Sequence, residues 1–138
     1  MNERYVLDAS ALIALLKNEA GARAVSELIK NADKGEVQIF MHKLNLLEVY
    51  YDVYRFRGQE IADKIVNEVR HRPVDIVSQI SDAVFSEAGR LKGSYKISLA
   101  DSIALAEASV SKARLVTADH HEFDALEKAE AFHFFWIR

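Results

Sequence analysis

The stretch from Tyr5 to Leu16, YVLDASALIALL, decides how the rest of the chain is read. Tyr5, Val6 and Leu7 form a short uninterrupted apolar run, which predicts a strand buried on both faces. Asp8 stops that run, and Ala9 to Leu16 reads as a helix. Strand, acid and helix thus follow one another without a linker, and the acid is expected at the carboxyl end of the strand.

Working outward, the same alternation repeats. Val25, Leu28, Ile29 and Ala32 mark one apolar face of a helix over Ala22–Ala32, with Gly35 as its stop. Val37–Met41 has strand character. From Leu44 the apolar residues Leu47, Val49, Val53 and Tyr54 follow helical spacing, and Gly58 separates this helix from a partner over Glu60–Arg70, giving a helical hairpin. Pro73, the only proline, breaks the chain before a short strand at Val74–Val77. A helix is predicted over Ser81–Leu91, with Gly93 opening a turn. Ser98 is the N-cap of a helix over Leu99–Lys112, with Ile103, Ala106, Ala108 and Val110 as apolar surface. A strand at Arg114–Thr117, a short helix over Glu122–Lys128 and a final strand at Phe132–Ile137 complete the pattern. Strands alternating with helices predict an α/β domain of three layers, α/β/α, around a central mainly parallel sheet of about five strands. In such sheets a ligand site lies outside the carboxyl ends of the strands, where strand order reverses.

Composition bounds the rest. A chain of 138 residues that is 50% hydrophobic and 28% charged is long enough for one core, so residues 1–138 are expected to form a single domain. The absence of cysteine excludes disulfides, thiolate metal sites and Cys nucleophiles. Eighteen Lys plus Arg against 21 Asp plus Glu give a net charge of −3, which argues against a protein that grips nucleic acid by charge alone. The opening residues reach Asp8 too early for a signal peptide or membrane span, so a cytoplasmic protein with no membrane partner is expected.

Four acids stand out. Asp8 and Asp119, in VLDAS and VTADHH, each end a predicted strand and belong at one edge of the sheet. Glu48 in NLLEVYY and Asp101 in SLADSIALA lie in apolar helical surroundings. Each has an ordinary explanation: a turn former or helix cap for Asp8 and Asp119, a favourable helix-dipole interaction of roughly 0.3–1 kcal/mol for Asp101, an exposed helix position for Glu48. None of these explains all four together. Converging carboxylates need their repulsion offset, and at least one should titrate above its usual range. Oxygen ligands without Cys favour Mg²⁺ or Mn²⁺, and a carboxylate–metal site of this kind suits phosphodiester hydrolysis.

The segments VLDASALIALL, NLLEVYY, SLADSIALA and LVTADHHEFDAL, with the closing FHFFWIR, resemble the PIN-domain nucleases, most closely the VapC-type toxins of toxin–antitoxin pairs. The resemblance covers essentially the whole chain. It implies a Mg²⁺- or Mn²⁺-dependent endoribonuclease that cuts RNA with metal-activated water, leaving a 5′-phosphate and a 3′-hydroxyl. By position, Asp8 and Asp101 look like the principal metal ligands and Asp119 like the residue completing the pocket. Glu48 looks like the acid that orients or deprotonates the attacking water. Ser10 and Thr117 look like hydroxyls that fix the carboxylates, and Phe123 like packing. The family also implies an antitoxin partner and a homodimer, both using the helical hairpin, where Tyr50, Tyr51, Tyr54 and Phe56 are either interface anchors or core.

Several residues stay open at this level. Asn45, one turn before Glu48, could hold that carboxylate or be an ordinary exposed residue. His120 and His121 invite a metal-ligand reading that the family chemistry does not need. Asp124 is a fifth pocket acid or a first-turn helix residue. Lys43, Arg55, Arg57, Arg70 and Arg72 could guide RNA or meet an acidic partner, or simply be solvated. A phosphoaspartate enzyme of the haloacid dehalogenase type needs a second Asp where this chain has Ser10. A receiver domain needs an acceptor Asp after the third strand, where Ser78 stands. The alternatives that survive are a PIN nuclease of RNA processing outside toxin–antitoxin systems and a catalytically idle binding module, though the latter would be expected to have lost an acid.

Overall fold

The computed structural model describes residues 3–138. Five strands, β1 (Glu3–Leu7), β2 (Val37–His42), β3 (Asp75–Val77), β4 (Arg114–Thr117) and β5 (Phe134–Trp136), form one sheet in the order β3-β2-β1-β4-β5. Every neighbouring pair is parallel, so the sheet is wholly rather than mainly parallel. Among the described residues seven helices connect and cover it: α1 (Ala9–Leu16), α2 (Ala22–Asp33), α3 (Lys43–Arg57), α4 (Gln59–Arg70), α5 (Asp82–Ser94), α6 (Leu99–Val110) and α7 (His120–Ala129).

Strand side chains alternate between two cores, as the pleat requires. Tyr5, Leu7, Ile39, Met41 and Val116 pack with α1 to α4 on one face. Val6, Leu115 and Phe134 pack with α5, α6 and α7 on the other. Because both faces are covered, these strands read as apolar runs without alternation. The chain moves outward from β1 through β2 to β3, then crosses back to lay β4 on the opposite side of β1. The order therefore reverses between β1 and β4, and the residues that leave these two strands at their carboxyl ends are Asp8 and, after Ala118, Asp119.

The remaining differences from the sequence reading have local causes. Gly93 lies inside α5 rather than in a turn; fully buried Leu91 anchors that last turn, and packing outweighs the roughly 1 kcal/mol helix penalty of glycine. Helix α6 ends at Val110 rather than Lys112, because Lys112 takes a left-handed conformation (φ +55°) that cannot extend a helix; Val110 is exposed. On α3 the buried face is Asn45, Leu46, Val49 and Val53, whereas Leu47 (52% exposed) and Tyr54 (48%) point outward. A polar residue on the inner stripe and aromatics on the outer one had turned the apparent apolar face. Strand β5 is shorter than the apolar run around it, although Ile137 beyond it is buried. Gly21 (φ +97°) explains that burial: a Cβ there would stand 2.7 Å from Ile137 Cγ1 and 2.9 Å from its carbonyl oxygen.

Candidate active site

Asp8 is both the exit of β1 and the N-cap of α1. Its Oδ1 accepts from the Ala11 backbone N–H at 2.9 Å and from Ser10 Oγ at 2.8 Å, and its Oδ2 accepts a short bond from Thr117 Oγ1. Ser10 Oγ also accepts from Ala118 N at 3.0 Å, and Thr117 Oγ1 accepts from Asp119 N at 3.0 Å. Each hydroxyl proton is already committed to Asp8, so the 3.3 Å approach of the two hydroxyl oxygens is a contact between acceptors. Asp119 caps α7, its Oδ1 accepting from Glu122 N at 3.1 Å. The ordinary capping explanation of both acids is thus realised, and the two caps are joined into one corner by Ser10 and Thr117.

Helices α3 and α6 carry the other two acids. Asp101 sits in the first turn of α6, 9% exposed, with Ser98 Oγ accepting its backbone N–H at 3.2 Å. Glu48 is half-buried on α3. His42 starts that helix: its Nδ1 accepts from Leu44 N at 3.1 Å, which leaves Nε2 to donate to the Gln79 carbonyl at 3.2 Å. Asn45 does not hold Glu48. It is fully buried, and its Nδ2 donates to the Ala100 carbonyl at 3.0 Å, tying α3 to the first turn of α6, while its Oδ1 is buried without a hydrogen-bond partner. Its value as a tie between helices was invisible in sequence because the partner is a backbone oxygen 55 residues away.

The four acids lie within electrostatic reach of one another. Burial, chiefly, and then the charge of Asp119 raise the Asp8 carboxyl to about 6, against the hydrogen bonds of Thr117, Ala11 and Ser10. Burial and then Asp8, with Asp119 and Glu48, raise Asp101 to about 7. Glu48 is pushed up by burial and then by Asp119, Asp52 and Glu122. Crowding therefore acts as expected, but desolvation is the larger cause in all three. Among the described residues, none of the four acids forms an ion pair with Lys, Arg or His.

This donor set fits a hard divalent cation: it is all oxygen, anionic, largely withdrawn from water and lacks a basic counter-charge. Among the described residues no three acidic, His or Cys side chains form a ready-made ligand set. A depression of about 190 Å³ beside the cluster is lined by Leu44, Leu47, Glu48, Tyr51, Leu99 and Ala100. A larger cavity, about 380 Å³, lies at the opposite end of α6 around Ser109, Lys112 and His133, away from all four acids.

Other residues singled out in the sequence fall outside the cluster. His120 Nδ1 meets Asp124 Oδ1 at 2.8 Å and Nε2 meets the Arg138 carbonyl at 2.8 Å; both partners are acceptors, so neither nitrogen offers a lone pair to an ion. The Arg138 carbonyl and then Asp124 raise the His120 pKa. Asp124 is accordingly a surface partner of His120. His121, Lys43, Arg55, Arg57, Arg70 and Arg72 are exposed, and Phe123 is fully buried. Of the hairpin aromatics, Tyr51, Tyr54 and Phe56 (69%) are exposed, while Tyr50 is half-buried with its hydroxyl donating to Asp63 at 2.7 Å.

A protein-family model described as the PIN domain matches residues 5–129. No curated protein matches the chain. Among solved structures, DNA-bound VapBC from Salmonella typhimurium is 14% identical, with a TM-score of 0.73 and all of both chains covered. VapBC-1 from nontypeable Haemophilus influenzae is 18% identical, with a TM-score of 0.71, 97% of this chain and 98% of that one. VapC20 from Mycobacterium tuberculosis, described as a Sarcin-Ricin loop cleaving toxin, is 14% identical, with a TM-score of 0.65, 93% of this chain and 95% of that one. At these identities the likeness is one of fold.

Proposed function

The chain belongs to the PIN domain family, and from that premise we propose that it is a Mg²⁺- or Mn²⁺-dependent endoribonuclease, the toxin of a toxin–antitoxin pair, with residues 1–138 forming one nuclease domain. The observation that supports this most is the gathering of Asp8, Glu48, Asp101 and Asp119, from four separate elements, at the strand-order reversal with no basic side chain among them. Asp8 and Asp101 would hold the ion and Asp119 would complete the pocket. A hard divalent cation there supplies charge neutralisation and Lewis acidity toward a scissile phosphate.

The protein's own groups do the positioning. Ser10 and Thr117 fix both oxygens of Asp8, so that carboxylate cannot rotate away from the site. Glu48, its carboxyl pushed up by burial and then by Asp119, takes the proton of the attacking water. Asn45 holds α3 to α6 and thereby Glu48 toward Asp101.

A solved structure of similar fold, from Klebsiella pneumoniae, is described as a toxin–antitoxin complex, which supports an antitoxin partner here. The exposed Tyr51, Tyr54 and Phe56 of the hairpin suit that partner and a homodimer. Among the described residues no helix is long and apolar enough to cross a membrane, and a cytoplasmic location accords with the proposed role. The test is cleavage of structured RNA with Mg²⁺ or Mn²⁺ by the native chain and by Asp8→Asn. The variant should lose about 100-fold or more, and equal cleavage by both would sink the assignment. A small antitoxin-like reading frame beside the gene would separate a toxin from an RNA-processing nuclease.

A further inference from the structure

His120 is left without a role by the chemistry above, yet its surroundings are unusually ordered for a half-exposed side chain. It follows Asp119 directly, so the two Cα atoms are about 3.8 Å apart. Its imidazole lies flat on the indole of Trp136, ring centres 3.9 Å apart and planes 9° from parallel. Trp136 stacks in turn on Phe134 at 5.2 Å and 21°, and its Nε1 donates to Glu127 at 2.9 Å. Both ring nitrogens of His120 are bonded, to Asp124 and to the Arg138 carbonyl. One face and both polar edges are therefore occupied, and still 49% of the side chain is exposed. What remains open is the second flat face.

We infer that His120, backed by Trp136, is a stacking platform for an unpaired base of the RNA substrate, seating the nucleotide next to the scissile phosphate beside the acidic cluster. The inference rests on the ribonuclease reading above. Three observations select a base over a phosphate. Both ring nitrogens donate, so the ring is a cation, but the Asp124 carboxylate at 2.8 Å balances its charge and neither nitrogen is left to donate to a phosphate. The chain's net charge of −3 gives little general attraction for a polyanion, so affinity has to come from uncharged contact as well as from the metal. A ring already held by two hydrogen bonds and a stacked indole loses little freedom when a base lands on it. Stacking on aromatic faces is how unpaired bases are commonly held, and it tolerates any base.

The experiment offers the native chain a panel of short single-stranded RNAs, and the same RNAs with an abasic nucleotide at each position in turn. Cleavage is followed by KM and kcat, and binding by fluorescence anisotropy in an Asp8→Asn background where the RNA persists. His120→Ala should raise KM roughly 5- to 100-fold with kcat little changed, and His120→Phe, which keeps the flat face but cannot bond Asp124 or Arg138, should restore KM. The abasic RNA should cost the native chain the same factor and His120→Ala nothing further. Unchanged KM in His120→Ala overturns the platform. So does His120→Phe as poor as His120→Ala, which would make the ring a clasp for the chain end. The abasic comparison on the native chain needs no variant to fold, and equal KM there also overturns it. Ring-dependent binding without cleavage would keep the platform and sink only the nuclease reading, while a native chain that neither binds nor cuts the RNA sinks both.

Discussion

Asp8 and Asp101 are two buried carboxylates of one site, held in opposite ways. Asp8 is the deeper, 1% exposed against 9% for Asp101, yet its carboxyl is raised less, to about 6 against about 7. Three hydrogen bonds to its ionised form, from Thr117, Ala11 and Ser10, oppose the desolvation, whereas among the described residues the hydrogen bond of Ser98 alone favours ionised Asp101. The β1–β4 corner is a finished anion site. The α3–α6 side leaves a carboxylate in apolar surroundings with neighbouring acids and little to balance it. Depth alone does not set how strained a buried charge is; the donors around it do.

The largest consequence concerns the pH dependence of stability without metal. Both carboxyls titrate above their ordinary 3.8, so folding favours their neutral forms. Their stabilising contribution is complete below about pH 4 and is lost as pH rises through 6 and then 7. Between pH 5 and pH 8 the loss should total about 4 kcal/mol, a fall in Tm on the order of 10 °C in EDTA. Asp101→Asn should remove the larger share of this slope and Asp8→Asn the smaller, and Mg²⁺ at pH 8 should recover stability in the native chain. Thermal unfolding across that range checks it. Equal slopes for native and Asp101→Asn chains would break the contrast between the two acids.

A smaller change sharpens the same contrast from the other side. Thr117→Val keeps the shape of a fully buried side chain but removes the hydroxyl that bonds Asp8 Oδ2 and receives Asp119 N. It should cost roughly 1–3 kcal/mol and make Asp8 behave like Asp101, its carboxyl titrating higher. NMR titration of the Asp8 carboxyl in the metal-free variant reads this directly; an unmoved titration would mean that Ser10 and Ala11 alone hold the charge.

How far these features were legible in the sequence follows from their range. The β1 and β4 exits were readable because strand, acid and helix adjoin in the chain, and parallel strands necessarily present their carboxyl ends at one edge. Ser10 was readable because it lies two residues from Asp8, whose carboxylate it bonds; Thr117 drew notice two residues before Asp119, but the carboxylate it bonds is that of Asp8 across the sheet, and from Asp119 it takes only the backbone N–H. The strand order and the wholly parallel pairing needed the tertiary structure, since nothing local in Val74–Val77 or Phe132–Ile137 fixes a neighbour. The buried face of α3 was misread because a polar Asn45 occupies it and Tyr54 does not. The aromatics Tyr51, Tyr54 and Phe56 lie on its outer side and take no part in the core. His120 drew notice as one of a histidine pair, but its stack on Trp136 joins residues sixteen apart, beyond any helical or strand period.

Asn45 offers the finest test of the weaker side of the site. Its Nδ2 bond to Ala100 is the tie between α3 and the α6 first turn, while its buried Oδ1 has no partner. In Asn45→Ala the lost bond destabilises and the removal of an unsatisfied oxygen stabilises, so the net loss should be only about 1 kcal/mol or less. The effect on catalysis should be out of proportion, because the tie sets where Glu48 stands relative to Asp101. A fall in kcat of roughly tenfold with KM and Tm nearly unchanged would identify Asn45 as a positioning residue. A fall in Tm with unchanged kcat would make it merely part of the core and would leave Glu48 held by the helix alone.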